Sequence, residues 1–370
     1  MMSNQIVNPK LSVFQHGSKT AFFSSLKALF LNSSYAQQVQ QIWKQPFNKE
    51  TNLNNQILEL IRYATLAPSG HNTQPWKFAI AKNEVRIFPD YLRRLPVVDP
   101  QNRELFISLG CALENLVIAA QYAGYATETI YFPTQEPECI LVKLSKTSAS
   151  SDDLHFKVIP FRQCTRSEYD RQSVPHEELR KLDSVQQEQG TTALLFTEPR
   201  QIESLIEYVK AGDQSQFSNQ AFVEELVEWI RFNDAEALKT RDGLLSRCSG
   251  NPTVPRWLGK RFMQRISGST QGNTDEKRIR SSAGMIAFAS AQDDKKAWIE
   301  TGRVYERFAL TATALNIKSA FLNQPVEVPE LRAQLQRYLN LPAYPQLLVR
   351  FGYAAEMPRS LRRSVEQVLI

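Results

Sequence analysis

Apolar residues recur along this chain in two rhythms that trade places. From Asn52 to Ala64 the positions Leu53, Ile57, Leu60, Ile61 and Ala64 fall three or four apart, the spacing of one helical face. Pro68 follows soon after that pattern stops. Between Lys77 and Phe88 apolar and polar residues alternate, which predicts a short β-hairpin turning at Lys82 and Asn83. A long helix is expected over Arg103 to Ala123, stopped by Gly124, a residue free to adopt the left-handed conformation. Short strands around Thr129–Phe132 and Cys139–Leu144 follow.

The second half repeats part of this order. The run from Gly110 to Ala120 aligns with the run from Gly302 to Ala312, so that Gly110 matches Gly302 and Glu114 matches Glu306. The helix stops correspond too, Gly124 with Asn316, both residues that tolerate positive φ. A later strand matches in kind, Ile140–Leu144 against Leu347–Phe351. Three correspondences in one order favour internal duplication. Between the halves, Thr191–Phe196 reads as a strand, followed by helices over about Glu198–Lys210 and Gln216–Lys239. From Thr240 to Ser282 the pattern predicts a long irregular stretch rich in Gly, Ser, Asn and Arg. Such a loop inside a compact domain is usually functional, and a lid is expected there.

A length of 370 residues suggests two or three compact units, and 42% apolar residues indicate a soluble globular protein. The net charge of +6 is mildly basic. Its clusters (Arg256–Arg265, Lys277–Arg280, Arg359–Arg363) are short, separate and not interleaved with aromatics, so nucleic acid is not an expected partner. Cys111, Cys139, Cys164 and Cys248 form no C-x-x-C pair, which excludes a zinc site or disulfide framework by pattern and makes reducing cytoplasm the expected location. The apolar stretch Ala21–Leu31 is broken by Lys27 and falls short of the ~20 residues of a bilayer span. Residues 1–45 read as an amphipathic arm, helical from about Thr20, that packs on the body. Rossmann, P-loop, zincin and nucleophile-elbow motifs are absent, and the four histidines are too scattered for a metal cluster.

The loop Ala67-Pro-Ser-Gly-His-Asn-Thr-Gln-Pro-Trp76 leaves a helix and enters a strand. Read as local structure, Asn and Gly there simply tolerate unusual dihedrals. Read as pattern, it resembles the A-P-S-x-x-N-x-Q-P-W signature of the nitroreductase family, whose members bind FMN. Arg162-Gln163-Cys164-Thr165-Arg166, ahead of Val174-Pro175, is similar to that family's R-R-S-x-R opening. Here Gln163 and Cys164 depart from it, and Cys164 replaces a hydroxyl that commonly bonds the phosphate. Pro358-Arg359-Ser360-Leu361-Arg362-Arg363 is similar to the family's closing basic segment. Within the family the chain most resembles the Acg-type branch, through Val98–Leu113, Thr240–Leu244 and Leu322–Arg332, over about residue 50 to the end.

The resemblance implies an α+β fold: two nitroreductase-like modules, each a mixed, mainly antiparallel sheet flanked by helices, fused as an intrachain pseudo-dimer. Its expected bounds are an arm over 1–45, one module over 46–160 and a second over 161–370 carrying the candidate lid 240–282. It implies FMN contacts from Pro68, Ser69, Gly70, Asn72 and Gln74 of one module. The other module would supply Arg162, Cys164, Arg166, Leu322, Asn323, Arg362 and Arg363. The backbone of Phe321–Gln324 would approach flavin N5, where an N–H donor favours reduction. No second arginine head lies within Gln45–Asn55 and no second proline loop within Gln186–Thr192, so a single FMN per chain is expected. Arg231 and Asn233 either face the pyrimidine edge or form a polar helix face, and Trp76 is expected in the core. The implied activity is NAD(P)H-dependent reduction of an electron-poor small molecule, with no acid–base side chain, in a monomeric pseudo-dimer. The alternative is an FMN-sequestering or regulatory protein whose lid covers the flavin.

Overall fold

The computed structural model describes residues 34–49, 52–148, 153–186 and 190–370. Helix α1 covers 34–43 of the expected arm, and the arm's earlier residues lie outside the described ones. The first helical rhythm becomes α2 (Leu53–Ala64), capped by the Asn52 side chain accepting from the Asn55 N–H. The alternating stretch becomes β1 (Trp76–Ala81) and β2 (Glu84–Pro89), paired antiparallel across Lys82–Asn83. Next come α3 (Arg103–Tyr122), β3 (Tyr125–Tyr131) and β4 (Ile140–Lys146). Gly124 stops α3 at φ +82°, so β3 begins at once, four residues earlier than the sequence pattern predicts. Short helices α4 (Asp153–Val158) and α5 (His176–Asp183) lead to β5 (Thr191–Phe196).

The insertion after β5 departs most from expectation. Helix α6 (Pro199–Ser218) runs past Lys210, and the single helix expected over Gln216–Lys239 is broken into α7 (Gln220–Trp229) and α8 (Asp234–Thr240) by β6 (Ile230–Arg231). Strand β6 pairs in parallel with β7 (Leu244–Leu245), a tertiary contact that overrides helix propensity. The stretch 240–282, expected to be irregular, holds α9 (Arg256–Met263) and α10 (Gly268–Arg280). Their Gly, Ser and Thr residues hide the helical signal because α10 needs small residues: Gly268 and Gly272 lie against Gln214, Asp213 and Lys210 of α6. The chain ends through β8 (Gly284–Ser290), α11 (Lys295–Ala314), β9 (Lys318–Phe321), α12 (Gln324–Glu327), α13 (Pro329–Tyr338), β10 (Tyr344–Gly352) and α14 (Val365–Val368).

Two four-stranded antiparallel sheets result, in the orders β1-β2-β4-β3 and β5-β8-β10-β9. Strand for strand in chain order, the two have one topology. They differ in what joins the first pair: two residues between β1 and β2, the whole stretch 197–283 between β5 and β8. In β1 and β2 burial alternates, whereas every residue of β8 is buried, because α11 covers one face of its sheet and α6 and α10 the other.

Helices α3 and α11 lie between the sheets and cross backbone to backbone. A Cβ at Gly110 would sit 2.0 Å from the Ile299 carbonyl oxygen, and one at Gly302 would sit 2.0 Å from that of Ile107. Helix α3 is long and apolar enough to cross a bilayer, but here it is the core helix, buried from Arg103 through Ala120. Trp76 is fully buried, as expected.

Gly302→Ala is expected to cost about 3 kcal/mol or more, since the added methyl overlaps backbone that cannot rotate away. Gly272→Ala meets the flexible Lys210 Cγ at 3.3 Å and the Lys210 Cα at an ordinary 3.5 Å, and should stay within about 1 kcal/mol of the parent. Denaturant midpoints of the two variants check the contrast.

Candidate functional site

The loop 67–76 is held in an unusual shape by its neighbours. His71, Asn72 and Gln74 all have positive φ, and Ser69 Oγ accepts from the Gln74 N–H at 2.9 Å. Asn72 and Gly243 clasp each other: Asn72 Nδ2 donates to Gly243 O at 3.0 Å, and Gly243 N donates to Asn72 O at 3.2 Å. Asn72 Oδ1 accepts from Arg362 Nη1 at 2.9 Å. The loop thus reaches the insertion and the C-terminal arm at once.

Two further segments converge on it. Thr165 N donates to Ser319 O at 2.9 Å, and Cys164 bridges Ser319 in parallel, which fixes 162–166 along the edge of β9. The C-terminal arm leaves β10 and returns to the other sheet, where Ile370 N donates to Phe78 O. Helix α1 lies over this arm, with Tyr35 and Trp43 donating to the carbonyls of Arg359 and Ser360.

Where these segments meet, a cavity of about 80 Å³ is lined by the side chains of Arg162, Arg166, Arg359 and Arg362, together with Ser69, Asn72 and Cys164. Four guanidinium groups here face few anions. Glu306 Oε1 lies 3.3 Å from Arg162 Nε, with both side chains buried. Arg359 spends its donors on the carbonyls of Pro160, Phe161 and Arg162. Arg362 Nε is buried without a hydrogen-bond partner. Burial, and then the neighbouring Arg162, pulls Arg362 down to about 9. A buried cation cluster short of counter-charge is a site for an anion with several acceptor oxygens.

This small cavity shares Pro68, Ser69, Arg166, Leu244 and Phe321 with a larger one of about 620 Å³, within the range of small-molecule sites. Gly70 and His71 line the larger cavity from the loop, Leu322 and Asn323 from the end of β9, and Phe262 and Met263 from α9. Its polar wall carries Glu104, Asp213, Asp275 and Glu327 together with Arg278 and Arg350. Burial, with Glu327 adding to it, pushes Glu104 up to about 8. Burial and then Asp275 push Asp213 up to about 8. Burial depresses the affinity of His71 for a proton to about 4, and Arg166 adds to the effect. His71 therefore stands neutral beside the cations.

Most residues expected at a ligand site are thus brought together: Pro68, Ser69, Gly70, Asn72, Arg162, Cys164, Arg166, Leu322, Asn323 and Arg362 line one or both cavities. Gln74 and Arg363 line neither. Gln74 Nε2 donates to Arg241 O and its Oε1 accepts from Arg363 N, while Arg363 Nη1 and Nη2 donate to the carbonyls of Gln74 and Gln367. These two lace the arm to the loop. The Leu322 N–H is also engaged, donating to Leu348 O at 2.8 Å. Neither reading of Arg231 and Asn233 holds: Arg231 is buried in β6 against Asp242 at 2.6 Å, and Asn233 caps α8. The sequence reasoning missed Glu104, Asp213, Glu327 and Arg359. A signal for one existed, because Leu205, Ile206 and Val209 mark the buried stripe of α6 and Asp213 continues it.

No protein-family model matches the chain. Sequence relatives span nearly all of it. A Mycobacterium tuberculosis protein named "Putative NAD(P)H nitroreductase Rv3131" is 24% identical over 322 residues, which cover 85% of this chain and 90% of that one. Another from the same organism, named "Putative NAD(P)H nitroreductase acg", is 23% identical over 327 residues, covering 84% and 94%. Among solved structures, a protein from Anabaena variabilis described as "a putative nitroreductase" covers 86% of this chain and 91% of its own at 10% identity, with a TM-score of 0.44. The FMN-dependent nitroreductase NfnB from Mycobacterium smegmatis, solved with NADPH, covers 56% and 94% at 14% identity, with a TM-score of 0.36. The chain has an α+β fold and is similar to proteins named as putative NAD(P)H nitroreductases. Its sequence relatives include those of the Acg kind.

The raised carboxyls make stability depend on pH. Glu104, Asp213 and Glu306 (held up to about 7 by burial against the opposing pull of Arg162) bind protons in the folded chain that an unfolded chain has released. Their stabilisation is complete below the ordinary carboxylate range and is lost as pH rises through the folded values. The ligand-free melting temperature should fall from about pH 6.5 to about pH 8.5, and less steeply in Glu104→Gln. A melting temperature that rises across this window would contradict the assignment.

Proposed function

We propose that the chain is a fused pair of nitroreductase-like modules holding one FMN between them, and that it uses NAD(P)H to reduce an electron-poor small molecule. The observation that carries this is the junction of the two cavities. A cluster of four arginines opens beside a chamber large enough for a flat heteroaromatic ring, lined by the Pro68–Gly70 turn and by Leu322 and Asn323. A phosphate would meet Arg166 and the unpartnered Nε of Arg362, and the residues present therefore fit the group. The shared strand order of the two sheets and the Gly110–Gly302 crossing support the reading as a fused pair. A chain that already contains its paired module needs no second copy to complete the site, which favours a monomer.

When bound, FMN would supply hydride acceptance and donation. The chain's own residues do the rest. Arg166, whose Nη1 meets Ser249 Oγ at 3.3 Å, would turn toward a bound anion. Neutral His71 adds no charge of its own beside a ring whose reduction builds negative charge. Helix α9 covers one side of the chamber and limits the entry of water.

Purified chain should bind FMN, and the complex should lose its yellow colour with NADH or NADPH and regain it with a nitroaromatic acceptor. Retained colour under both nicotinamides would overturn the reductase reading and favour sequestration. Arg166→Ala should weaken FMN binding about tenfold to a hundredfold, as expected for loss of a charged hydrogen-bonding group, with little change in melting temperature. Unchanged affinity in Arg166→Ala and in the Arg166→Ala, Arg362→Ala pair would refute the phosphate assignment.

A further inference from the structure

The buried Glu104 and the partly buried Glu327 both stand on the wall of the large cavity. They come from elements far apart in the chain, the first turn of α3 and the end of α12, and Glu327 stands close enough to push the Glu104 carboxyl up. Two carboxyl groups in that relation share a proton, because Arg103 compensates only part of a second negative charge in a desolvated pair.

The surrounding donors fix where the proton can be. Asn323 Nδ2 donates to Glu104 Oε1 at 2.9 Å, and Arg103 Nη2 reaches the same oxygen at 3.4 Å. Gln216 Nε2 donates to Glu327 Oε2. Asn323 cannot turn round, since its Oδ1 accepts from Leu348 N at 3.1 Å. Glu104 Oε2 is left facing the loop, 3.5 Å from where a side chain at Gly70 would begin. The other charged groups acting on the pair are Asp99 and, through Arg103, Arg332.

We propose that Glu104, with Glu327 as its positioning partner, is the proton donor to the molecule reduced in this cavity. The proposal rests on the reductase reading above. Two-electron reduction of an acceptor consumes a hydride equivalent, which a reduced nicotinamide supplies, and one proton. The O–H bond of Glu104 breaks, a new bond to hydrogen forms on the acceptor, and the pair is left as two carboxylates. Solvent returns the proton after product leaves. This assigns acid–base work to a side chain in a site where the sequence suggested none.

The test has two readouts. Infrared spectra of the ligand-free chain near pH 7 should show protonated-carboxyl absorption that loses one component in Glu104→Gln, the part due to Asp213 and Glu306 remaining. In the FMN-loaded chain, Glu104→Gln should lower kcat for acceptor reduction about a hundredfold and remove the high-pH fall in rate, with nicotinamide KM and FMN affinity unchanged. Glu327→Gln should keep most of kcat and shift that fall, because the partner only positions the proton. An absorption undiminished in Glu104→Gln overturns the proposal, as does a lost component with unaltered kcat. A wild-type chain that shows the absorption but oxidises no nicotinamide overturns the reductase reading, and the donor role with it.

Discussion

Two helices whose backbones touch set the geometry of this molecule. At Gly110 and Gly302 there is no space for even one methyl group, so α3 and α11 cannot slide or separate without losing the core between the sheets. Four residues on from each glycine stands a fully buried glutamate, Glu114 or Glu306. The equivalent positions are satisfied differently. Glu114 is held by Arg303 and Arg307 of α11 at 2.8 and 2.7 Å, so guanidinium groups from the helix itself neutralise it. Glu306 instead meets Arg162, which arrives along the edge of β9. A near-symmetric framework thus carries one charge-rich cavity beside Glu306, while its counterpart position is closed by side chains.

The insertion between β5 and β8 completes the asymmetry. Its α6 and α10 cover the outer face of one sheet and bring Asp213 and Asp275 to the cavity wall. The chamber therefore has the arginine cluster at its narrow end and, at its wide end, four carboxyls with Arg278 and Arg350 among them. This uneven distribution arises because the groups sit on different elements fixed by the helix crossing or by the insertion. Desolvation raises the carboxyls and lowers Arg362, so each departs from its ordinary titration in the direction that reduces buried charge.

Periodicity made α2, α3, the β1–β2 hairpin and β5 legible, because each buries one regular face or alternates. The repeat around Gly110 and Gly302 was legible for a related reason: close backbone approach demands glycine at both positions. Helices α9 and α10 were not, since small and polar residues chosen for packing on α6 and for lining a cavity look like loop. At the site, the Pro68–Gly70 turn and the arginines at 162, 166 and 362 could be found from motif alone. Gln74 and Arg363 share those motifs but serve the backbone. Glu104 escaped notice because a carboxylate in a helix's first turn ordinarily reads as dipole compensation, and its partner Glu327 lies more than two hundred residues away.

The C-terminal arm is anchored at both ends, in β10 of one sheet and against β1 of the other through Leu369 and Ile370. Between those anchors it is strapped down by α1 and by the loop 67–76. Such a strap cannot serve as a door: freeing Arg362 would mean peeling strand pairings from two sheets. Traffic through the site is therefore one-ended. Whatever occupies the arginine end would then come in through the larger cavity with which that end is continuous, deep end first, and the part of it left in the larger cavity is the part a second molecule can reach.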